Sequence, residues 1–136
     1  ASIKEAGYQV MDLGHNHILD SGLEGLFSTV KRPLEDAGIQ TVGVYPHETR
    51  DQAPILIKEV NGIKIAILAY SYGFNGMEYN LEQEDYDNRL SDLNEERMRQ
   101  EIQKAEMEAD MTIVMPQMGN EYDLEPTEEQ RSYTIR

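Results

Sequence analysis

The chain contains no cysteine and no tryptophan, and it carries only 12 basic residues against 26 acidic ones. Without cysteine, disulfides, thiol catalysis and thiolate metal sites are all excluded, a composition that fits an exported protein. The shortage of basic residues leaves a formal net charge of -14. Such a surface repels nucleic acid and anionic membrane, so neither is expected as a partner. An anionic substrate here needs its positive field from a metal ion or from helix N-termini. Also missing are a signal peptide and any apolar run of transmembrane length.

What is present is an ordinary globular balance, 39% hydrophobic and 28% charged over 136 residues, which suits one domain. Both ends read as cut. S-I-K-E-A-G at the start resembles the last turns of a helix stopped at Gly7, and E-E-Q-R-S-Y-T-I-R at the end resembles a helix start. Residues 1–136 are therefore expected to form a single partial domain, an internal piece of a longer one.

Tyr8 to Leu13 is a strand candidate. Gly22 to Ala37 carries Leu23, Leu26, Phe27, Val30 and Leu34 at helical spacing, with Ser21 and Glu24 as a capping box, Gly38 as the stop and Pro33 as a predicted kink. Thr41 to Tyr45 is a second strand. Ile55 and Ile57, then Asn61-Gly62, then Ile63, Ile65 and Ile67 form a strong hairpin signature. Ser71 to Leu93 is polar and reads as a long loop, its acidic stretch Glu82–Asp87 as solvated. Asn94 caps a further helix, Met111 to Met115 is a buried strand, and Thr127 with Gln130 forms another capping box. The order predicts an α/β sandwich with a largely parallel sheet and an attached hairpin.

In such sheets ligands gather past the carboxyl ends of strands. After the first strand come His15, Asn16, His17 and Asp20; after the second, His47 and Glu48; after the last, Gln117, Gly119, Asn120 and Glu121. Imidazole, carboxylate and amide oxygen suit borderline and hard divalent metals, and a nearby histidine can protonate a leaving oxygen. Plainer readings stand beside these. His15 can be solvated, His47 can belong to a turn, and Asp20 with Ser21 can simply start the helix. Gln117 and Glu121 can satisfy loop backbone groups.

The blocks N-H-I-L-D-S-G-L-E-G-L, A-G-I-Q-T-V-G, E-V-N-G-I-K-I-A-I-L-A-Y, N-R-L and G-N-E-Y-D-L-E-P-T-E-E-Q, in this order along the chain, resemble the CapA family of poly-gamma-glutamate capsule biosynthesis proteins. That family is similar to the calcineurin-like metallophosphoesterases, so the resemblance implies part of an αββα sandwich with metal at its strand ends. It implies Asn16 as a metal ligand and His17 as general acid or transition-state stabiliser. Gln117-Met118-Gly119-Asn120-Glu121 matches the family's His-Trp-Gly-x-Glu segment. Glu121 is kept, to orient a ligand or water, while Gln117 stands at the histidine position and offers a weaker amide oxygen. The family's Gly-Asp motif would precede residue 1 and its His-Pro-His motif would follow residue 136, so the fragment is expected to be inactive alone.

Two functions stay open. One is a metal-dependent phosphoesterase-like hydrolase or transferase acting on capsule polymer or its precursor. The other is a non-catalytic assembly or scaffold module of a synthesis and export complex. Either implies membrane-bound synthesis and export partners, and a place on the extracellular face of the cell membrane for the full-length protein.

Overall fold

Asn61 and Gly62 both take positive φ, 52° and 83°, in the computed structural model, which describes residues 2–46 and 50–134. Two consecutive positive φ values suit the tight I′-type turn, whose twist matches that of the strands it joins. The turn links β3 (Leu56–Val60) to β4 (Ile63–Ser71) in antiparallel register, with Lys58 opposite Ile65. The predicted hairpin is therefore present. On its other side β4 pairs in parallel with β5 (Met111–Gln117). Pro116 lacks an N–H and is tolerated because β5 is the outer strand of this sheet.

A second, separate sheet consists of β1 (Val10–Asp12) and β2 (Gln40–Val42), paired in parallel. The α/β class holds, with parallel pairs and one hairpin, but the strands divide between two sheets. Two glycines let the strand exits pack closely, Gly43 within this sheet and Gly14 against the other. A Cβ on Gly43, where φ is 93°, would lie 2.7 Å from the Cα of Gly14. A Cβ on Gly14 would lie 3.1 Å from the backbone of Ala69 and Tyr70 in β4. At Gly43 a side chain would overlap backbone, and at Gly14 it would fit only if β4 gave way slightly.

The short α1 (Ser2–Glu5) ends at Gly7, which takes φ 95°. The predicted helix from 22 to 37 exists in three registers. α2 (Gly22–Gly25) passes into a π-helical stretch, Leu26–Lys31, and then into α3 (Arg32–Asp36). Pro33 supplies the reason. It has no N–H for the carbonyl four residues back, and the wider turn, in which the Arg32 N–H reaches Phe27 O, absorbs the mismatch. The expected Ser21 capping box does not form, because the Ser21 side chain makes no cap hydrogen bond.

The predicted long loop is also corrected. Residues 77–80 form a 3-10 turn, and Gln83–Arg89 is a helix, α4. Glu84 and Asp85 sit in its first turn, where the helix dipole favours carboxylates. Arg89 binds Asp85 and Gln83 binds Asp87 at i,i+4 spacing. The acidic stretch is helix-forming, not loop.

α5 (Glu95–Glu108) begins as expected at Asn94, whose side chain accepts the Arg97 N–H at 3.0 Å. It packs Met98, Ile102 and Ala105 against Ala66, Leu68 and Tyr70, one face of β4. The other core joins Leu13, Leu19, Leu26, Val44, Phe74 and Leu90, tying the β1 exit to the segment after β4. α6 (Glu128–Thr134) starts at the predicted box: the Thr127 N–H reaches Gln130 Oε1 at 2.7 Å and the Gln130 N–H reaches Thr127 Oγ1 at 3.2 Å.

Candidate functional site

Past Leu13 the chain turns at Gly14, whose N–H is accepted by Asp12 Oδ1 at 2.7 Å. Partial burial raises the Asp12 pKa above its usual value, and this hydrogen bond pulls it part of the way back. The turn delivers Asn16 to a position only 4% exposed, beside the ends of β4 and β5. There it meets Gln117, the last residue of β5. The Asn16 backbone N–H donates to Gln117 Oε1 at 2.6 Å, and Gln117 Nε2 donates to Asn16 Oδ1 at 2.9 Å. Ser71 Oγ lies 3.2 Å from the same Gln117 oxygen.

The Asn16 amide nitrogen faces three acceptors: Glu121 Oε1 at 2.9 Å, the Tyr72 hydroxyl at 3.1 Å and Asn75 Oδ1 at 3.2 Å. Tyr72 also donates to Glu121 Oε1 at 3.1 Å. Its pKa is raised, first by burial and then by the carboxylate it donates to, so the hydroxyl keeps its proton. His17 is exposed and joins the cluster through Asn75, with Asn75 Nδ2 2.7 Å from Nδ1. The same ring nitrogen lies 2.8 Å from Asp20 Oδ2.

The four residues nominated from sequence, Asn16, His17, Gln117 and Glu121, therefore converge on one cluster. His15 is exposed outside it. Asp20 turns its carboxylate to His17, where the sequence favoured a helix-start role. His47 and Glu48 lie outside the described residues. Tyr72 and Asn75 were missed, because they fall in what reads as polar loop. Asn75 does leave one trace, the Asn75-Gly76 pair, which marks a turn with positive φ, here 56° and 75°.

A cleft of about 660 Å³ opens beside the cluster, with Tyr72, Tyr86, Asp92, Glu121 and Glu129 among its walls. Tyr86 donates to Asp92 Oδ2 at 3.0 Å, and burial with that carboxylate raises its pKa. The cleft is acidic and rich in hydroxyl donors.

The family model described as bacterial capsule synthesis protein PGA_cap matches residues 1–136. The chain belongs to this family. It is 29% identical over 135 residues to the capsule biosynthesis protein CapA of Bacillus anthracis, covering 96% of this chain. The chain spans 32% of that relative's length. No solved structure matches it.

The divalent metal implied for Asn16 and Gln117 can be tested against the donor set of this PGA_cap chain. Gln117 Oε1 already accepts from a backbone N–H, and Asn16 Oδ1 already accepts from Gln117. Glu121 Oε1 receives both Asn16 and Tyr72. Among the described residues, no three His, Cys, Asp or Glu side chains group as metal ligands would. Two neutral amide oxygens, each held by an internal donor, make a poor seat for a hard cation. As arranged, these residues do not fit the metal.

Proposed function

We propose that the whole protein acts in making or anchoring an anionic capsule polymer of the poly-gamma-glutamate type. This chain supplies one wall of the site that handles the polymer or its precursor. The observation that carries the reading is convergence: Asn16 from the β1 exit meets Gln117 and Glu121 from the β5 exit, about a hundred residues away, and His17 beside it joins the same cluster through Asn75. In this reading His17 moves a proton to or from the atom leaving in a hydrolytic or transfer step. Glu121, held by Tyr72 and Asn16, orients the attacking water or acceptor group. Asn16 and Gln117 hold the loop that carries His17, and no step passes through a metal at these two residues.

On this reading the full-length protein works at the cell envelope, beside membrane-bound synthesis and export proteins on the outer face of the membrane. Among the described residues, no helix is long and apolar enough to cross a membrane. A second reading, a non-catalytic scaffold of the same assembly, is favoured by one observation: the amide oxygens of Asn16 and Gln117 are already satisfied within the protein.

The test is made in cells carrying the full-length gene. His17→Ala and Glu121→Gln are each expected to abolish or sharply shorten surface polymer while protein level stays normal. Polymer of normal amount and length in both variants would remove the catalytic reading and leave the scaffold.

A further inference from the structure

His17 and Asp20 stand at the two ends of one turn, in which the Asp20 N–H reaches His17 O at 3.4 Å. The chain is anchored on both sides of His17. Leu19, inside the turn, is wholly buried in the core, and Asn16, just before it, is 4% exposed and held by Gln117. From this pinned backbone the two side chains point outward, 65% and 53% exposed, and meet with Asp20 Oδ2 2.8 Å from His17 Nδ1. Exposed pairs usually contribute little because two long side chains must be immobilised. Here both are short, and the turn has already brought them together.

The contact has one direction. A carboxylate only accepts, so Nδ1 is the donor. Asn75 does not contest it: its Nδ2 lies 2.7 Å from Nδ1 and 3.4 Å from Nε2, over the ring face and off the lone pair of either nitrogen. We propose that Asp20 is a positioning residue, which keeps the proton of neutral His17 on Nδ1 and leaves Nε2 as the open acceptor of the ring. This deepens the acid–base reading of His17 and rests on it for its consequence, which is the order of proton transfers. Nε2 first takes the proton of the attacking water or acceptor hydroxyl as that oxygen forms its new bond. The ring then carries a proton on each nitrogen, its charge facing the Asp20 carboxylate. Nε2–H passes its proton to the leaving atom as the old bond breaks, and the ring returns to its Nδ1–H form.

The Asp20 side chain is more than half exposed, so Asp20→Ala removes the acceptor and leaves the core as it is. Full-length protein labelled with 15N-histidine is examined by long-range 1H–15N correlation at a pH where imidazole is neutral, with the His17 signal assigned by its loss in His17→Gln. Wild type is expected to show Nδ1–H as the major form, the reverse of free histidine. In Asp20→Ala the ratio of Nδ1–H to Nε2–H is expected to fall by roughly tenfold, the lower end for a lost hydrogen bond to a charged group because the pair is exposed. Nε2–H as the major form in wild type, or a ratio unmoved in Asp20→Ala, overturns the proposal. Polymer lost in His17→Ala while the wild-type ring carries Nε2–H would sink the pair and spare the site. The expected ratios beside normal polymer in His17→Ala would keep the pair and remove the chemistry.

Discussion

Arg50 is 2% exposed, and its guanidinium is met by a backbone carbonyl, a carboxylate and two aromatic rings. Nη1 donates to Leu90 O at 2.6 Å and Nη2 to Glu101 Oε2 at 3.0 Å, while Nε lies 2.9 Å from Glu101 Oε1. The rings of Tyr45 and Tyr70 lie 5.2 and 5.9 Å from it. Tyr70 completes the set by donating to Glu101 Oε2 at 2.5 Å. Burial first, and then the Glu101 carboxylate, push the Tyr70 pKa far above the ordinary tyrosine value. A raised acid pKa means that folding favours the neutral phenol. Its contribution is complete below the unfolded value of about 10 and is lost as pH rises above it. Tyr70→Phe is therefore expected to destabilise by about 1.5–3 kcal/mol at neutral pH, the range for a hydrogen bond to a charged group. Denaturant unfolding should show the gap closing above about pH 10. A gap that stays constant into alkaline pH would mean that the hydroxyl contributes nothing through Glu101.

The elements meet where side chains are absent. Gly43, just past β2, lies over Gly14, and Gly14 lies against Ala69 of β4, so the β1 exit loop can run close enough for Asn16 to reach Gln117. Gly43→Ala adds a methyl into the Gly14 backbone at φ 93° and should destabilise by roughly 2–4 kcal/mol, since both strain and overlap apply. The decisive measurement pairs thermal unfolding with the Asn16 side-chain amide signals: a displaced β1 exit should lower the melting temperature and release those signals together. A variant as stable as wild type would show that the crossing is not tight. Local chemistry made several elements legible from sequence. Asn61-Gly62, Asn94 and the Thr127–Gln130 box each act within a few residues, and each forms as its pattern implies. α4 was not legible, because its helix signal lies in i,i+4 charge pairs rather than apolar spacing. Nor was the π stretch, which depends on how the chain absorbs Pro33. At the site, residue types past strand ends offered Asn16, His17, Gln117 and Glu121 among others, and the family resemblance singled out these four. Their partners Tyr72 and Asn75 became visible only once the folded chain brought the segment after β4 across them.

At the scale of the molecule, charge sets the terms on which any polymer can bind. The chain carries -14, and the cleft beside the cluster is walled by Asp92, Glu121 and Glu129. An anionic polymer therefore approaches against repulsion, the reverse of a basic groove closing on nucleic acid. Raising salt from about 10 mM to 150 mM shortens the screening length from about 30 Å to about 8 Å. Screening should therefore tighten polymer binding through this face. Asp92→Asn with Glu129→Gln should tighten it further at low salt and flatten the dependence. Sedimentation or fluorescence titration of the full-length protein with a labelled anionic polymer reads both effects. Binding that weakens steadily with salt, and is indifferent to the two substitutions, would place the polymer on a basic surface elsewhere in the protein. The acidic cleft would then belong to a cationic ligand or partner.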